Sequence, residues 1–267
     1  MTRIDLHMHT ARCGHGEGAP LDYALAARSA GLDIIAISDH LPLPVTLNPE
    51  GHYSMNSSEL ADYVQDVRDV ARMSADRPRV LLGIEADWLP GRFDETQALL
   101  AEHPFDVVLG SVHFLDGWAF DDPHLIEEWS RREIVDVWTR YFETFTTAAA
   151  SGLFDVMAHP DLVKKFGHRP EGDLTRLFED VAAAIAAAGV AVEISSAGLR
   201  YPCAEIYPSE ALLRAFCRAG VPVTTGSDAH SPAGVGEGID VLREAAARAG
   251  YRKITYLQAR EMREVEL

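Results

Sequence analysis

The sequence predicts an α/β barrel of parallel strands, formed by a single domain over residues 1–267. Three observations support this fold class. A short run of β-branched residues, a polar loop and an Ala/Leu-rich helical stretch follow one another repeatedly along the chain. No GxGxxG motif follows the first strand, which disfavours an open dinucleotide-binding sheet. The length of 267 residues fits one barrel or two small domains, and one domain is the simpler interpretation.

Each predicted strand is a short apolar run bounded by polar residues or glycine. The predicted strands are residues 3–6, 33–38, 79–84, 106–110, 154–158, 190–194 and 222–225. The predicted helices are residues 21–30, 57–75, 95–102, 127–150, 174–188 and 209–219. Glycine, the usual residue beyond a helix end, follows several of them. A further run at 253–256 is either an eighth strand or a short closing segment, and both interpretations stay open.

Composition and charge disfavour a nucleic-acid partner, a membrane span and a disulfide framework. The formal net charge of −17 disfavours a nucleic-acid ligand, because phosphate backbones are bound by clusters of Lys and Arg. No apolar run is long enough to span a bilayer, and the first residues do not resemble a secretory signal, so we expect a cytoplasmic protein. Cys13, Cys203 and Cys217 show no CxxC spacing and predict no disulfide framework.

Histidines and carboxylates concentrate where predicted strands end. A lone histidine at such a position most often has a packing role, but here seven of the eleven histidines and two carboxylates share this placement. In a parallel barrel these ends converge on one face, so residues remote in sequence meet there. The residues concerned are His7, His9, His15, His40, Glu85, His113, His159, Asp228 and His230.

Local spacing points to metal binding. His7 and His9 form an HxH pair, which places both imidazoles on one side of a strand. Asp39 precedes His40, and Asp228 lies two residues before His230, so each carboxylate can orient or accompany a ligand. Imidazole and carboxylate ligands suit Zn, Fe or Mn.

The segments DLHMHT, SDH, GIEAD, GSVH, AHPD and GSDAH resemble, in order and spacing, the PHP (polymerase and histidinol phosphatase) superfamily. The resemblance covers nearly the whole chain and implies a distorted, TIM-like (β/α)7 barrel that binds three divalent metal ions. The three implied ligand sets are His7, His9, Glu85 and Asp228; Glu85, His113 and His159; and His15, His40 and His230. We expect Asp5 and Asp39 to orient neighbouring ligands.

The resemblance also implies a chemistry, namely metal-dependent hydrolysis of a phosphate monoester by a metal-bridging hydroxide. Asp228 and His230 are the expected catalytic residues, with Asp161 or a metal-bound water as general acid. Arg200, Lys164 and Lys165 are expected to bind phosphate. For the remainder of the substrate we expect Glu193, Asp161 or Glu17 to receive an amino group, and His52 and Tyr53 to form a lid or to stack on a ring.

Other segments resemble the histidinol-phosphate phosphatases of that superfamily in particular. These are HTARCGHGEG, HPDLVKKFG, AGLR and EIYPS, although Ser195-Ser196 stands where such enzymes often have Asn-Thr. The expected substrate is therefore L-histidinol phosphate, an intermediate of histidine biosynthesis. Another small phosphate ester, such as a nucleoside monophosphate, is the first alternative. A metal-dependent amidohydrolase, whose barrel also begins with HxH, and a non-catalytic metal-binding protein are the others.

Overall fold

In a computed structural model of the chain, which describes residues 2–74 and 77–267, seven parallel strands form one sheet paired in sequence order. They are β1 (Ile4–Asp5), β2 (Ile34–Ile37), β3 (Arg79–Asp87), β4 (Val107–Ser111), β5 (Val156–Met157), β6 (Ala191–Ser195) and β7 (Val223–Gly226). The first and last strands meet, since the amide of Leu6 donates to the carbonyl of Thr225 at 3.0 Å. The sheet is thus nearly closed into a barrel, which confirms the predicted fold class.

Helices alternate with the strands and pack against the outside of the barrel. They are α1 (Pro20–Ser29), α2 (Leu60–Met73), α3 (Phe93–Ala101), α4 (Ile134–Ala150), α5 (Thr175–Ala188), α6 (Glu210–Ala219) and α7 (Ile239–Ala249). The longest, α4, buries Trp138, Tyr141, Phe142 and Phe145 at a spacing of three or four residues. Because every strand runs in the same direction, all seven carboxyl ends lie at one face. Among the described residues, no helix combines the length and apolarity needed to cross a bilayer.

Several element bounds differ from the prediction. The predicted helix 127–150 begins only at Ile134, because Pro123–Arg131 forms 3-10 turns and the next two residues are extended. Strand β3 continues to Asp87, so Glu85 lies inside the strand. Helix α7 and a short hairpin, Phe114–Leu115 with Trp118–Ala119, were not predicted. Helix α2 occupies most of the predicted 57–75 helix, whose last residue lies outside the described part of the chain.

The segment beginning at residue 253 is not an eighth barrel strand. Lys253–Gln258 pairs antiparallel with Glu261–Glu266 in a separate hairpin. At its turn the amide of Ala259 donates to Asp106 at 3.0 Å, and the guanidinium of Arg260 contacts Asp155 at 3.0 Å. Both aspartates directly precede barrel strands, so the hairpin covers the amino-terminal end of the barrel, opposite the predicted site.

Candidate metal centre and active site

The carboxylate of Glu85 lies at the centre of a group of histidines. Glu85 is 1% exposed and projects from β3 towards residues that follow four other strands. The nitrogens around its Oε2 atom are His7 Nε2 at 3.2 Å, His9 Nε2 at 3.3 Å and His40 Nδ1 at 3.0 Å. Those around Oε1 are His159 Nε2 at 3.0 Å and His113 Nε2 at 3.8 Å. One carboxylate therefore faces two separate groups of imidazoles, as a bridging ligand does.

The remaining predicted ligands lie at the edge of this group. Asp228 places Oδ1 3.3 Å from Nε2 of His9 and 3.8 Å from Nε2 of His7. The ring of His230 stacks on that of His9 with centroids 4.4 Å apart. The ring of His15 lies 4.6 Å from that of His230. All nine residues predicted as ligands are thus brought to one face of the barrel.

The donor set fits divalent cations. Buried polar atoms normally have hydrogen-bond partners, and an unpaired one is costly. Within the described part of the chain, however, several buried atoms of the predicted ligands make no well-directed hydrogen bond even where another polar atom is near: His7 Nε2, His9 Nδ1, His9 Nε2, His40 Nδ1, His230 Nε2 and Glu85 Oε2. Metal ions bound by these lone pairs would satisfy them and replace protons that so many adjacent imidazoles cannot all carry.

Electrostatics at the centre differ from one imidazole to the next. Burial alone would lower the pKa of His7 and of His113, but the charges of Glu193 and Asp87 respectively raise it above the usual value, for His113 to about 10. Burial lowers the pKa of His40 well below its usual value. Burial likewise lowers the pKa of His230, to about 3. Burial alone would raise the pKa of Glu85, but the charges of His40 and His7 outweigh it and hold that pKa well below its usual range. The carboxylate is therefore ionised.

The ligand atoms form compact groups, each with its atoms within 4.8 Å of one another. Two groups, His7–His9–Glu85 and Glu85–His113–His159, agree with the ligand sets that the family resemblance implies. The third implied set is divided between two groups in the structure. These are His9, His40 and His230, and Cys13, His15 and His230.

Carboxylates behind the histidines determine which ring nitrogen faces the centre. Nδ1 of His7 lies 2.9 Å from Glu193, and Nδ1 of His113 lies 2.9 Å from Asp87. Each pairing directs Nε2 towards Glu85. Asp87 was missed by sequence reasoning, although its place two residues after Glu85 on the same strand was a usable signal. Glu193 is 1% exposed behind His7, which argues against its predicted contact with the substrate.

Asp5 and Asp39 act on the backbone of the segments that carry ligands. Asp5 accepts hydrogen bonds from the amides of Ser227 at 2.8 Å and Gly236 at 2.9 Å. Asp39 accepts from the amide and the hydroxyl of Thr10, both at 2.6 Å. These bonds fix the loop after β1 and the loop after β7, which carry several of the predicted ligands.

A cavity of about 800 Å³ opens over the histidines and carries two cations on its wall. Lys165 places Nζ 3.0 Å from Asp121 and 4.5 Å from the centre of the Tyr201 ring. Burial alone would lower the pKa of Lys165, but Asp121 raises it above its usual value, so the ammonium stays charged. Arg200 donates to the carbonyls of Ser227 at 2.9 Å and Asp228 at 3.0 Å. Asp121, in the segment WAFDD, was not identified from the sequence.

Lys164 and Asp161 do not line the cavity. Nζ of Lys164 lies 3.0 Å from Asp161, and both side chains are fully buried. Asp161 also accepts a hydrogen bond from the amide of Ser209 at 2.8 Å. This placement argues against Asp161 as the general acid and against Lys164 as a phosphate ligand, because neither reaches a substrate in the cavity. Of the three carboxylates considered for the amino group, Glu17 lines the cavity, whereas Glu193 and Asp161 do not.

The loop that contains His52 and Tyr53 forms part of the cavity rim. The hydroxyl of Tyr53 donates to Asp122, whereas the ring of His52 is largely exposed. The carbonyl of His52 accepts a hydrogen bond from Nδ1 of His15 at 2.8 Å. Because this contact occupies Nδ1, Nε2 is the nitrogen of His15 that remains free to bind a metal ion.

Comparisons with known proteins agree with this geometry. Residues 5–197 match the family model described as PHP domain. A protein of Deinococcus radiodurans described as a probable histidinol-phosphatase is 37% identical over 91% of this chain and 94% of its own length. The histidinol-phosphatase of Bacillus subtilis is 25% identical over 91% of this chain and 99% of its own.

A solved structure shares the fold. The histidinol phosphate phosphatase of Lactococcus lactis, crystallised with zinc, L-histidinol and phosphate, has a TM-score of 0.81 and 20% identity, and the match covers 98% of this chain and 99% of that one. With the family model matching more than half of its length, the chain belongs to the PHP domain family.

Proposed function

We propose that this chain is a metal-dependent histidinol-phosphatase, which hydrolyses L-histidinol phosphate to L-histidinol and phosphate. The observation that carries the metal-dependent chemistry is the convergence of five histidines on Glu85, with several buried ligand atoms lacking protein partners. The substrate is supported by the identity of 37% to the Deinococcus protein over most of both chains. It would place the enzyme in histidine biosynthesis.

Three divalent cations, with zinc the first choice, would be held by the nine clustered residues. His7, His9, Asp228 and Glu85 would hold the first cation, and Glu85, His113 and His159 the second. His15, His40 and His230 would hold the third cation. His9 lies close to His40 and His230. The zinc in the Lactococcus crystal structure supports this choice of metal, as does the imidazole-rich ligand set.

When bound, such cations act as Lewis acids that lower the pKa of water and neutralise charge on phosphoryl oxygens. The protein residues do the rest. Glu193 and Asp87 hold His7 and His113 with Nε2 directed at the centre. The bound cations would locally outweigh the negative charge of Glu85, Asp228 and the rest of an acidic protein, so that an anionic ester can bind there.

Arg200 and Lys165 bind the phosphate group. Both line the cavity, and both offer N–H donors from which a phosphoryl oxygen can accept hydrogen bonds. Arg200 is held by the carbonyls of Ser227 and Asp228, which places its guanidinium beside a ligand-bearing loop. The volume of about 800 Å³ accommodates a small ester.

Rates of phosphate release test the proposal. The metal-loaded protein is incubated with L-histidinol phosphate, a nucleoside monophosphate and an aryl phosphate under identical conditions. We expect kcat/KM for histidinol phosphate to exceed the others by at least about 100-fold, since matched polar contacts discriminate at that level. Equal values for the three esters would overturn the substrate, and full activity after complete chelation would overturn the metal dependence.

A further inference from the structure

Glu193 in β6 is a buried carboxylate that contacts two predicted metal ligands at once. Its Oε1 atom lies 2.9 Å from Nδ1 of His7, which follows β1. Its Oε2 atom accepts a hydrogen bond from the backbone amide of His159, which follows β5, at 2.7 Å. The two oxygens of one side chain therefore join two strand ends that belong to different predicted ligand sets.

The contact with His159 supports an unfavourable backbone conformation. His159 has a φ of 28°, in the left-handed region that residues with a Cβ rarely adopt. Such a conformation persists where surrounding contacts hold it, and ligand sites are a common place for it. Here it delivers Nε2 of His159 to Glu85 at 3.0 Å.

A glycine on the neighbouring strand provides the space for this arrangement. A Cβ atom on Gly226 in β7 would lie 1.9 Å from Oε1 of Glu193 and 2.7 Å from Cβ of His7. Any larger residue would push the carboxylate away from the imidazole. The close packing also leaves no room for a substrate group beside Glu193.

We infer that Glu193 is a positioning residue that fixes the tautomer of His7 and the backbone of His159, and so sets the affinity of two metal positions together. With Nδ1–H donated to Glu193, Nε2 of His7 keeps its lone pair directed at the centre. This inference rests on the metal-dependent function proposed above. It assigns Glu193 a role that its predicted contact with a substrate amino group does not describe.

The substitution Glu193→Gln tests this role because it keeps the shape of the side chain and changes its hydrogen bonding. Glu193 offers an acceptor oxygen to each of two N–H groups, whereas glutamine offers one oxygen and one NH2 group. If the amide oxygen faces His7, the amide of His159 loses its acceptor. If it faces His159, the NH2 group faces Nδ1 of His7, which must then accept a hydrogen bond. The imidazole proton moves to Nε2, and the metal-facing nitrogen becomes a donor.

The first measurement is zinc affinity. The purified protein is stripped with a chelator, and the Kd for Zn²⁺ is measured by competition with a chromophoric chelator. We expect Glu193→Gln to raise this Kd by about 10- to 100-fold, the usual effect of losing a partner behind a metal ligand. Long-range ¹H–¹⁵N spectra of histidine-labelled protein should show the protonated nitrogen of His7 changed in the variant, or a mixture of tautomers.

Two further variants make the result interpretable. Glu193→Asp keeps the charge but withdraws the carboxylate from His7 and His159 by one methylene group. It should therefore weaken zinc binding to a similar degree, and it decides the question if Glu193→Gln does not fold. Asp155→Asn is the matched control, because Asp155 also accepts a backbone amide, from Val108 at 2.9 Å, but lies at the opposite end of the barrel. It should lower stability and leave the zinc Kd unchanged.

The outcomes separate this inference from the proposed function. Zinc affinities of Glu193→Gln and Glu193→Asp within threefold of the unmodified protein, with an unchanged His7 tautomer, would overturn the positioning role. Failure of the unmodified protein to hydrolyse histidinol phosphate would instead overturn the proposed substrate. The zinc affinities would still test the positioning role of Glu193 in that case, because they do not depend on the substrate.

Discussion

Lys164 and Lys165 are neighbours in the chain, yet their ammonium groups lie on opposite sides of the cavity wall. Lys164 is fully buried against Asp161 at 3.0 Å and Glu205 at 3.1 Å. Lys165 lines the cavity and contacts Asp121 at 3.0 Å. The 3-10 turn Leu162–Lys164 ends between them, which sends the two side chains in different directions. Lys165 can therefore contact an anionic substrate, whereas Lys164 is part of the buried interior.

Replacing Lys165 should weaken substrate binding. Lys165→Gln removes a charged donor from the cavity wall, and hydrogen bonds to charged groups contribute about 1.5–3 kcal/mol. We expect KM for histidinol phosphate to rise by about tenfold or more, as steady-state phosphate release would show. Asp121→Asn retains the lysine and should preserve most of the phosphate affinity. An unchanged KM in Lys165→Gln would remove this residue from the phosphate site.

Replacing Lys164 should lower stability instead. Lys164→Met leaves Asp161 buried without its cation, and removing one partner of a buried ion pair typically costs about 3–5 kcal/mol. Urea denaturation should show that loss in the free energy of unfolding. The fraction that stays folded should have a KM close to that of the unmodified protein. A large rise in KM without loss of stability would mean that Lys164 reaches the substrate after all.

Replacing Glu85 should impair metal binding and catalysis together. Glu85→Gln removes the charge that both imidazole groups face and halves the number of acceptor oxygens. We expect kcat to fall by about three orders of magnitude, comparable to the loss of a central electrostatic group in other enzymes. The metal content, measured by mass spectrometry, should fall as well. Glu102→Gln, a substitution outside the centre, serves as the charge control, and full metal content in Glu85→Gln would contradict a bridging role.

Metal removal should destabilise the fold as well as abolish activity. Ions that bind the folded state stabilise it, by about 2.7 kcal/mol when free metal is 100 times its Kd. Chelated protein should therefore unfold at a lower temperature, and added Zn²⁺ should restore both Tm and activity. Calorimetry with and without zinc measures the difference. Identical Tm values across a range of free zinc would contradict a metal centre in the native state.

Replacing Arg200 should affect both the substrate and a ligand-bearing loop. The Arg200→Ala variant loses the guanidinium on the cavity wall and its bonds to the carbonyls of Ser227 and Asp228. We expect KM to rise by about tenfold, with a smaller decrease in kcat, since charged hydrogen bonds are lost at the substrate. Glu237→Gln, which removes the carboxylate 3.4 Å from Arg200, is the control and should not raise KM. Equal effects of both substitutions would argue against a phosphate contact.

Much of the histidine and carboxylate cluster was predictable from the sequence, because parallel strands place their carboxyl ends at one face. His7 and Glu85 are far apart in the chain, yet the positions of both at strand ends predicted their proximity. The structure places their side-chain atoms 3.2 Å apart. The extent of some helices was less predictable. The segment before Ile134 is as helix-like in composition as the one after it, but Pro123 and the extended Arg132 and Glu133 separate the two.

The sequence by itself determined the fold class and the set of candidate ligands, because hydrophobic periodicity and the placement of histidines are local properties of the chain. Only the tertiary structure decided which charged side chains face the cavity. Lys164, Asp161 and Glu193 were expected there, but their partners from remote segments keep them buried. Asp121 and Asp87 were not expected, and they contact Lys165 and His113. The physical reason is that burying a charge requires a partner, and that partner is brought close only by the fold.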